Sequence, residues 1–208
     1  MNEKKTKDSK SVESSNSFLF GFFVNYFKPS AYISSISDIS LKKLKEQGIK
    51  MIICDLDNTL VPHYTKFPSK NAINFVNEVK KLNLIFVIIS NNTKNRVRFF
   101  AEKLKLDDYI YNAKKPYTKY VKKILKKYEI STDEALIIGD MIVTDILLAN
   151  ILHIESILVT PIIDYGNTIS RSLKFLEKYA FLRLSRNNLI TSDNILNKKD
   201  FYEEYDLL

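Results

Sequence analysis

"MIICDLDNT", Met51–Thr59, is the stretch on which the fold turns. Its first four residues, Met51-Ile52-Ile53-Cys54, are apolar without alternation. Such a run reads as a strand covered on both faces, as in a parallel sheet lined by helices. It then ends on two carboxylates, Asp55 and Asp57, separated by one leucine. Like charges placed so close in a water-poor crevice repel, and one stays protonated unless a cation intervenes. A strand that only had to pack would not end this way.

The same pattern recurs on either side. Ile49–Asp55 is the first predicted strand, Leu84–Ser90 ("LIFVIIS") the second and Tyr109–Asn112 a short third. Ala135–Gly139 and Glu155–Thr160 are the fourth and fifth. Helical signals fall between them. Ser40 can cap a short helix through Gln47, stopped by Gly48. Ser69–Leu82 carries Ala72, Ile73, Val76 and Val79 at helical spacing, and Lys94–Leu106 would bury Val97, Phe100, Ala101 and Leu104. Pro116 is placed as the first residue of a helix whose buried stripe is Tyr117, Val121, Ile124, Leu125 and Tyr128. Thr144–Ile151 and roughly Thr168–Leu182 are two more helices. Alternation of strand and helix implies an α/β fold with helices on both faces of a parallel sheet. Ligands of such sheets gather at the carboxyl ends of strands where the strand order reverses. Asp55, Ser90 and Asp140 each end a predicted strand, so distant parts of the chain converge on one edge.

Composition narrows the setting. At 208 residues and 45% hydrophobic content the chain has enough material for one complete core. The net charge of +8 points to polyanions: nucleic acid, an anionic membrane or phosphorylated substrates. Abundant Lys, Asn, Ile, Tyr and Phe also match the drift of an AT-rich genome, so basicity alone does not choose among them. The single cysteine, Cys54, excludes an internal disulfide and suits a reducing cytoplasm. No apolar stretch reaches the roughly 20 residues that span a bilayer, and a signal peptide's small-residue cleavage site is missing. Residues 1–17 are expected to be disordered. Residues 18–38 begin with "FLFGFFVNYFKP", which would either dock on the core or lie in a membrane interface. Residues 39–182 form the main domain, and residues 183–208 an Asn-rich, then acidic tail.

The residues at the strand ends belong to one kind of chemistry. Asp140 and Asp145 in "GDMIVTD" add carboxylates to the edge that carries Asp55 and Asp57. Hard oxygen ligands of this kind suit Mg²⁺, the usual ion beside phosphate, and a cation next to phosphate is the equipment of phosphoryl transfer. The Ser90 hydroxyl, the Asn91 backbone amide, Thr59 and Lys115 supply donors for phosphate oxygens.

Four motifs in order carry a resemblance: Asp55-Leu56-Asp57-Asn58-Thr59, "IISNN" with Ser90, "AKKP" with Lys115, and "GDMIVTD" from Gly139 to Asp145. They resemble the motifs of the haloacid dehalogenase-like (HAD) phosphatases. With "SISDI" they are most similar to the YqeG-type branch of subfamily IIIA, related to phosphatidylglycerophosphate phosphatases. The similarity runs from about Tyr26 to Pro161. It implies a Rossmann-like three-layer sandwich around a central parallel sheet. It also implies Asp55 as nucleophile through an aspartyl-phosphate, and Asp57 as general acid and then base. Mg²⁺ would be held by the Asp55 carboxylate, the Asp57 backbone carbonyl, Asp140 and Asp145, and the phosphoryl group by Thr59, Ser90 and Lys115. The branch's glycine-rich stretch after "TD" is replaced by Leu148-Ala149-Asn150-Ile151, and His63 and Tyr64 receive no role.

The gaps between motifs have no room for a large cap domain, which by resemblance implies an open site suited to a phosphate on a large substrate such as a lipid headgroup. The reading is therefore a Mg²⁺-dependent phosphomonoesterase with a phosphorylated substrate, cytoplasmic, with peripheral contact to an anionic membrane. One alternative is a phosphatase of a soluble small molecule or phosphoprotein. Another is a non-catalytic nucleic-acid- or ribosome-binding module, against which the acid cluster and the lack of aromatic-basic interleaving both argue. The oligomeric state has no sequence signal.

Overall fold

The computed structural model describes residues 19–163 and 170–190. Its centre is a six-stranded, wholly parallel sheet. The strands are β1 (Ala31–Ile33), β2 (Met51–Cys54), β3 (Ile85–Ile89), β4 (Tyr109–Ile110), β5 (Ala135–Gly139) and β6 (Glu155–Val159), in the order β1-β6-β5-β2-β3-β4. After β2 the chain builds outward through β3 and β4, then returns to the other side of β2 for β5 and β6. The reversal therefore lies between β2 and β5. Register aligns their ends: Cys54 is paired with Ile88 on one side and Ile138 on the other. The residues that follow these strands emerge side by side.

Helices cover both faces: α1 (19–27), α2 (Leu41–Glu46), α3 (Lys70–Lys81), α4 (Lys94–Lys103), α5 (Lys119–Tyr128), α6 (Leu147–Leu152) and α7 (Arg171–Arg186). The period of a strand divides its side chains between two cores. Ile52 and Cys54 pack with Val76 of α3 and Phe100 of α4. Met51 and Ile53 pack with Val121 of α5 and Leu148 of α6. All four side chains of β2 are fully buried, which is why its sequence shows no alternation. A third cluster joins Phe23 of α1 to Ile142, Leu158, and Ala180 and Leu184 of α7. This is the three-layer, HAD-like α/β sandwich. Between β2 and β3 stands only α3, and between β3 and Lys115 only α4 and β4, so neither gap holds a cap.

Several local expectations are corrected. β1 was not foreseen; it pairs with β6 from Ala31↔Ile157 to Ile33↔Val159. Pro116 does not open a helix: it follows a cis peptide, and α5 begins at Lys119. Tyr117, expected in the buried stripe, is exposed as a result. On α3 Phe75 faces the core and Ile73 faces solvent. Ser69 caps α3 by accepting from the Ala72 amide, whereas the Ser40 side chain makes no capping bond. The helix expected from Thr144 is a π-helical turn, Ile142–Ile146, continuing into α6. α7 runs on to Arg186, into the segment read as tail, and Ile190 beyond it is buried. The expectations for residues 1–17 and for the acidic end of the chain lie outside the described residues.

Candidate active site

The turn after β2 is built for close quarters. Asn58 adopts φ 65°, a left-handed conformation that asparagine tolerates better than most residues, and its amide donates to the Val61 carbonyl at 2.7 Å. The reversal carries Thr59 back toward β5, where its hydroxyl donates to Asp140 Oδ1 at 2.8 Å. Asp55 extends the β2 ladder by one bond, from its amide to the Ile138 carbonyl at 2.8 Å. Asp55 and Asp140 thus flank the topological switch point, as the sequence implies.

Lys115 lies at the centre. Its Nζ donates to Asp55 Oδ1 and to Asp145 Oδ1, each at 2.5 Å. The side chains of this triad are 3%, 9% and 2% exposed, so solvent screens them little. The Lys115 amide donates to Asn91 Oδ1 at 2.7 Å, so the Asn91 side chain helps to orient the lysine. Burial opposes the Lys115 ammonium, but Asp145 and Asp55 outweigh it and hold its pKa above the ordinary value. Burial pushes the Asp55 carboxyl well up; Lys115 pulls against that shift, and the charges on Asp145 and Asp140 add to it. Lys115 thus bridges two buried carboxylates, and the charge of a third, Asp140, acts on Asp55 beside them.

Asp145 is held in place by its own turn. Its Oδ2 accepts from the Met141 amide at 3.2 Å and from Thr144 Oγ1 at 3.0 Å. Gly139 makes this possible, since a Cβ there would stand 2.3 Å from both Cβ and Cγ of Asp145. The glycine of "GDMIVTD" is a steric requirement of the aspartate six residues on.

Asp57 is held elsewhere. Arg96 of α4 approaches its Oδ1 with Nε at 2.8 Å and Nη2 at 2.6 Å, and Asn92 Nδ2 donates to Oδ2 at 2.9 Å. Arg96 also caps the Thr65 and Pro62 carbonyls, at 2.7 and 3.3 Å. Ser90 is buried at the end of β3, with its hydroxyl accepting from the Asn92 amide at 3.0 Å. Asp55, Asp57, Ser90, Asn91, Lys115, Asp140 and Asp145 all line one open pocket of about 400 Å³. Thr59 stands just behind it through its bond to Asp140. His63, which had no role in the sequence, also lines the pocket, beside Asn58 Oδ1 at 3.4 Å. Leu148 and Ala149 do not; they fill the space between α6 and the sheet.

Two residues were missed. Arg96 holds Asp57, yet it stands in a helix rich in bases. Glu177 of α7 accepts from the Ile142 and Val143 amides at 2.7 and 3.0 Å, tying α7 to the turn between Asp140 and Asp145. Burial pushes its carboxyl up to about 7, and the two amides only partly offset this. Glu177 is the one acid in α7, and that isolation was a usable signal.

Among the described residues no three acid, imidazole or thiol groups form a ready metal cage. The donor set nevertheless suits a hard cation: all its side-chain ligands are carboxylates, buried and outnumbering their ammonium three to one. Closure on an ion requires them to draw together.

Sheet order, uncapped edge and acid cluster define a HAD-type phosphatase, a phosphoric monoester hydrolase. More narrowly, the chain belongs to the mitochondrial PGP phosphatase family, whose sequence model matches residues 22–163. It is 33% identical over 161 residues to the probable phosphatase YqeG of Bacillus subtilis (strain 168), spanning 77% of this chain and 93% of that protein. Solved structures similar to it include the 3-deoxy-D-manno-octulosonate 8-phosphate phosphatase of Moraxella catarrhalis, in complex with magnesium, phosphate and KDO. That match has a TM-score of 0.42 and 20% identity, covering 48% of this chain and 61% of the other, less than two thirds. A putative HAD subfamily III A hydrolase of Legionella pneumophila gives a TM-score of 0.39 at 22% identity, covering 48% and 58%. Family membership sets aside the non-catalytic binding module.

Proposed function

We propose that this phosphatase is Mg²⁺-dependent, works through an aspartyl-phosphate on Asp55, and takes a lipid phosphomonoester of the phosphatidylglycerophosphate kind. The observation that carries the reading is the buried triad of Asp55, Lys115 and Asp145 with Asp140 beside it, at the mouth of an uncapped sheet edge. Asp55 and Asp140, with the Asp57 backbone carbonyl, would hold the ion and Asp145 would support it. The ion supplies positive charge against the phosphoryl oxygens and removes the mutual repulsion of the carboxylates.

The chain's own groups account for the rest. The free oxygen of Asp55 forms the new bond to phosphorus while the bond to the leaving alkoxide breaks. Asp57, positioned by Arg96 and Asn92, gives that alkoxide its proton. It then takes a proton from the water that cleaves the acyl phosphate, freeing inorganic phosphate and restoring Asp55. Lys115 and the Ser90 hydroxyl steady the transferring oxygens, and Thr59 keeps Asp140 in place. Support for a lipid substrate comes from the open edge and from the family. Among the described residues no helix is long and apolar enough to cross a membrane.

The test is hydrolysis of phosphatidylglycerophosphate in detergent micelles with Mg²⁺, beside a panel of soluble sugar phosphates, nucleotides and phosphopeptides. Preferential release of phosphate from the lipid, lost in Asp55→Asn, is expected. Preference for a soluble ester would replace the substrate and leave the chemistry. Unchanged turnover by Asp55→Asn would remove Asp55 as nucleophile.

A further inference from the structure

The solvent face of α7 is apolar where a surface helix is normally polar. Phe175, Tyr179 and Leu182 recur at helical spacing and are 71%, 49% and 39% exposed. The opposite side of the helix is already spent, since Ala180 and Leu184 pack in the core and Glu177 binds the Ile142–Ile146 turn. A helix apolar on both sides is ordinarily buried on both sides. The adjoining α1 repeats the pattern: Phe23 is buried against α7, while Leu19 and Phe22 are 59% and 55% exposed.

Charge selects what covers this face. Arg171, Lys174, Lys178, Arg183 and Arg186 are all basic, and the helix's only acid is turned inward. An open groove of about 420 Å³ between α1 and α7 is lined by Phe20, Tyr179, Leu182, Arg183 and Arg186. Arg183 stacks over the rings of Phe20 and Phe23, at 5.5 and 4.8 Å from their centroids. A second copy of the chain would bring these bases against each other. An apolar layer topped by anionic headgroups satisfies both the exposed rings and the arginines.

We propose that the outer face of α7, with the exposed end of α1, docks on an anionic lipid bilayer. The inference rests on the lipid-phosphomonoester reading and gives it a geometry. Leu173, in the first turn of α7, lines the catalytic pocket. Leu173 lies on the inward side of the helix with Glu177 and Ala180, so docking along the outer face of α7 sets the pocket about one helix diameter, ~10 Å, from the headgroup layer.

The test is cosedimentation of the full chain with vesicles of phosphatidylcholine alone and of phosphatidylcholine mixed with phosphatidylglycerol. These vesicles contain no phosphomonoester, so docking is read apart from hydrolysis. Binding to the mixed vesicles, weakened by salt, is expected. The double variant Phe175→Glu/Leu182→Glu and the single variant Arg186→Glu should each lower partitioning about tenfold or more. Circular dichroism of each variant establishes that it is folded, and Arg186→Glu carries the test if the double variant is not. The proposal is overturned if the parent protein ignores anionic vesicles, if the folded variants bind undiminished, or if the parent is a dimer that the variants dissolve. Failure here, with the lipid still hydrolysed in micelles, would remove docking and leave the proposed function standing.

Discussion

Replacing Lys115 by methionine keeps the length of the side chain and removes the one ammonium among three buried carboxylates. The bonds lost are the two at 2.5 Å to Asp55 and Asp145, in side chains almost closed to solvent. Removing one partner of a buried ion pair costs about 3–5 kcal/mol, because the other charge stays buried. Domains of this size are stable by only about 5–15 kcal/mol, so Lys115→Met should be near its limit in metal-free buffer at neutral pH. The sign of the pH dependence follows from Asp55. Its folded-state carboxyl already lies well above the usual range, and losing Lys115 raises it further. A group whose pKa is raised by folding adds stability below its unfolded value and loses it as pH rises through the folded one. The variant should therefore recover toward about pH 5 and weaken toward about pH 8. Mg²⁺ should restore part of the loss by replacing the missing charge. The chain has no tryptophan, so urea unfolding is best followed by far-UV circular dichroism, with EDTA or Mg²⁺ at both pH values. An equal loss under all four conditions would mean that Lys115 acts through packing, and would refute the electrostatic argument.

Other residues give sharper, smaller tests. Arg96→Met should release Asp57 and lower kcat about 10²-fold with little change in KM, as for loss of a group that positions an acid-base catalyst; steady-state kinetics decide, and a change confined to KM would contradict it. Gly139→Ala forces a Cβ into Asp145 and should cost about 1–3 kcal/mol in urea melts, together with weaker Mg²⁺ binding by calorimetry. Glu177 is raised to about 7, so its contribution to stability is fully present below its unfolded pKa and is lost as pH rises through about 7. Glu177→Gln should flatten the stability-pH curve in that window by on the order of 2 kcal/mol; an unchanged slope would show that another group titrates there.

How much of this was legible depended on how local the cause was. β2, β3 and β5 are fully wrapped strands, and continuous apolar runs announce them. The site acids follow directly because the residue after a strand must emerge at the sheet edge. β1 is three residues long and exists because β6 pairs with it from more than 120 residues away, so nothing local marks Ala31–Ile33. Pro116 carried a helix-start signal, but the chain spends Lys114–Thr118 turning Lys115 into the pocket before α5 begins. Ile73 and Phe75 both fit an apolar stripe, and only the sheet's position decides between them. Arg96 was hidden among neighbouring bases and is defined by an aspartate 39 residues away. Glu177, alone among the bases of α7, was the readable exception.

The central claim is that Asp55 itself carries the phosphoryl group between substrate and water. Rapid acid quench of the enzyme with substrate and Mg²⁺, followed by peptide mass spectrometry, measures this directly. A phosphate adduct on the peptide containing Asp55, absent from Asp55→Asn, is the result expected. An adduct on another residue, or turnover by Asp55→Asn with none, would contradict it.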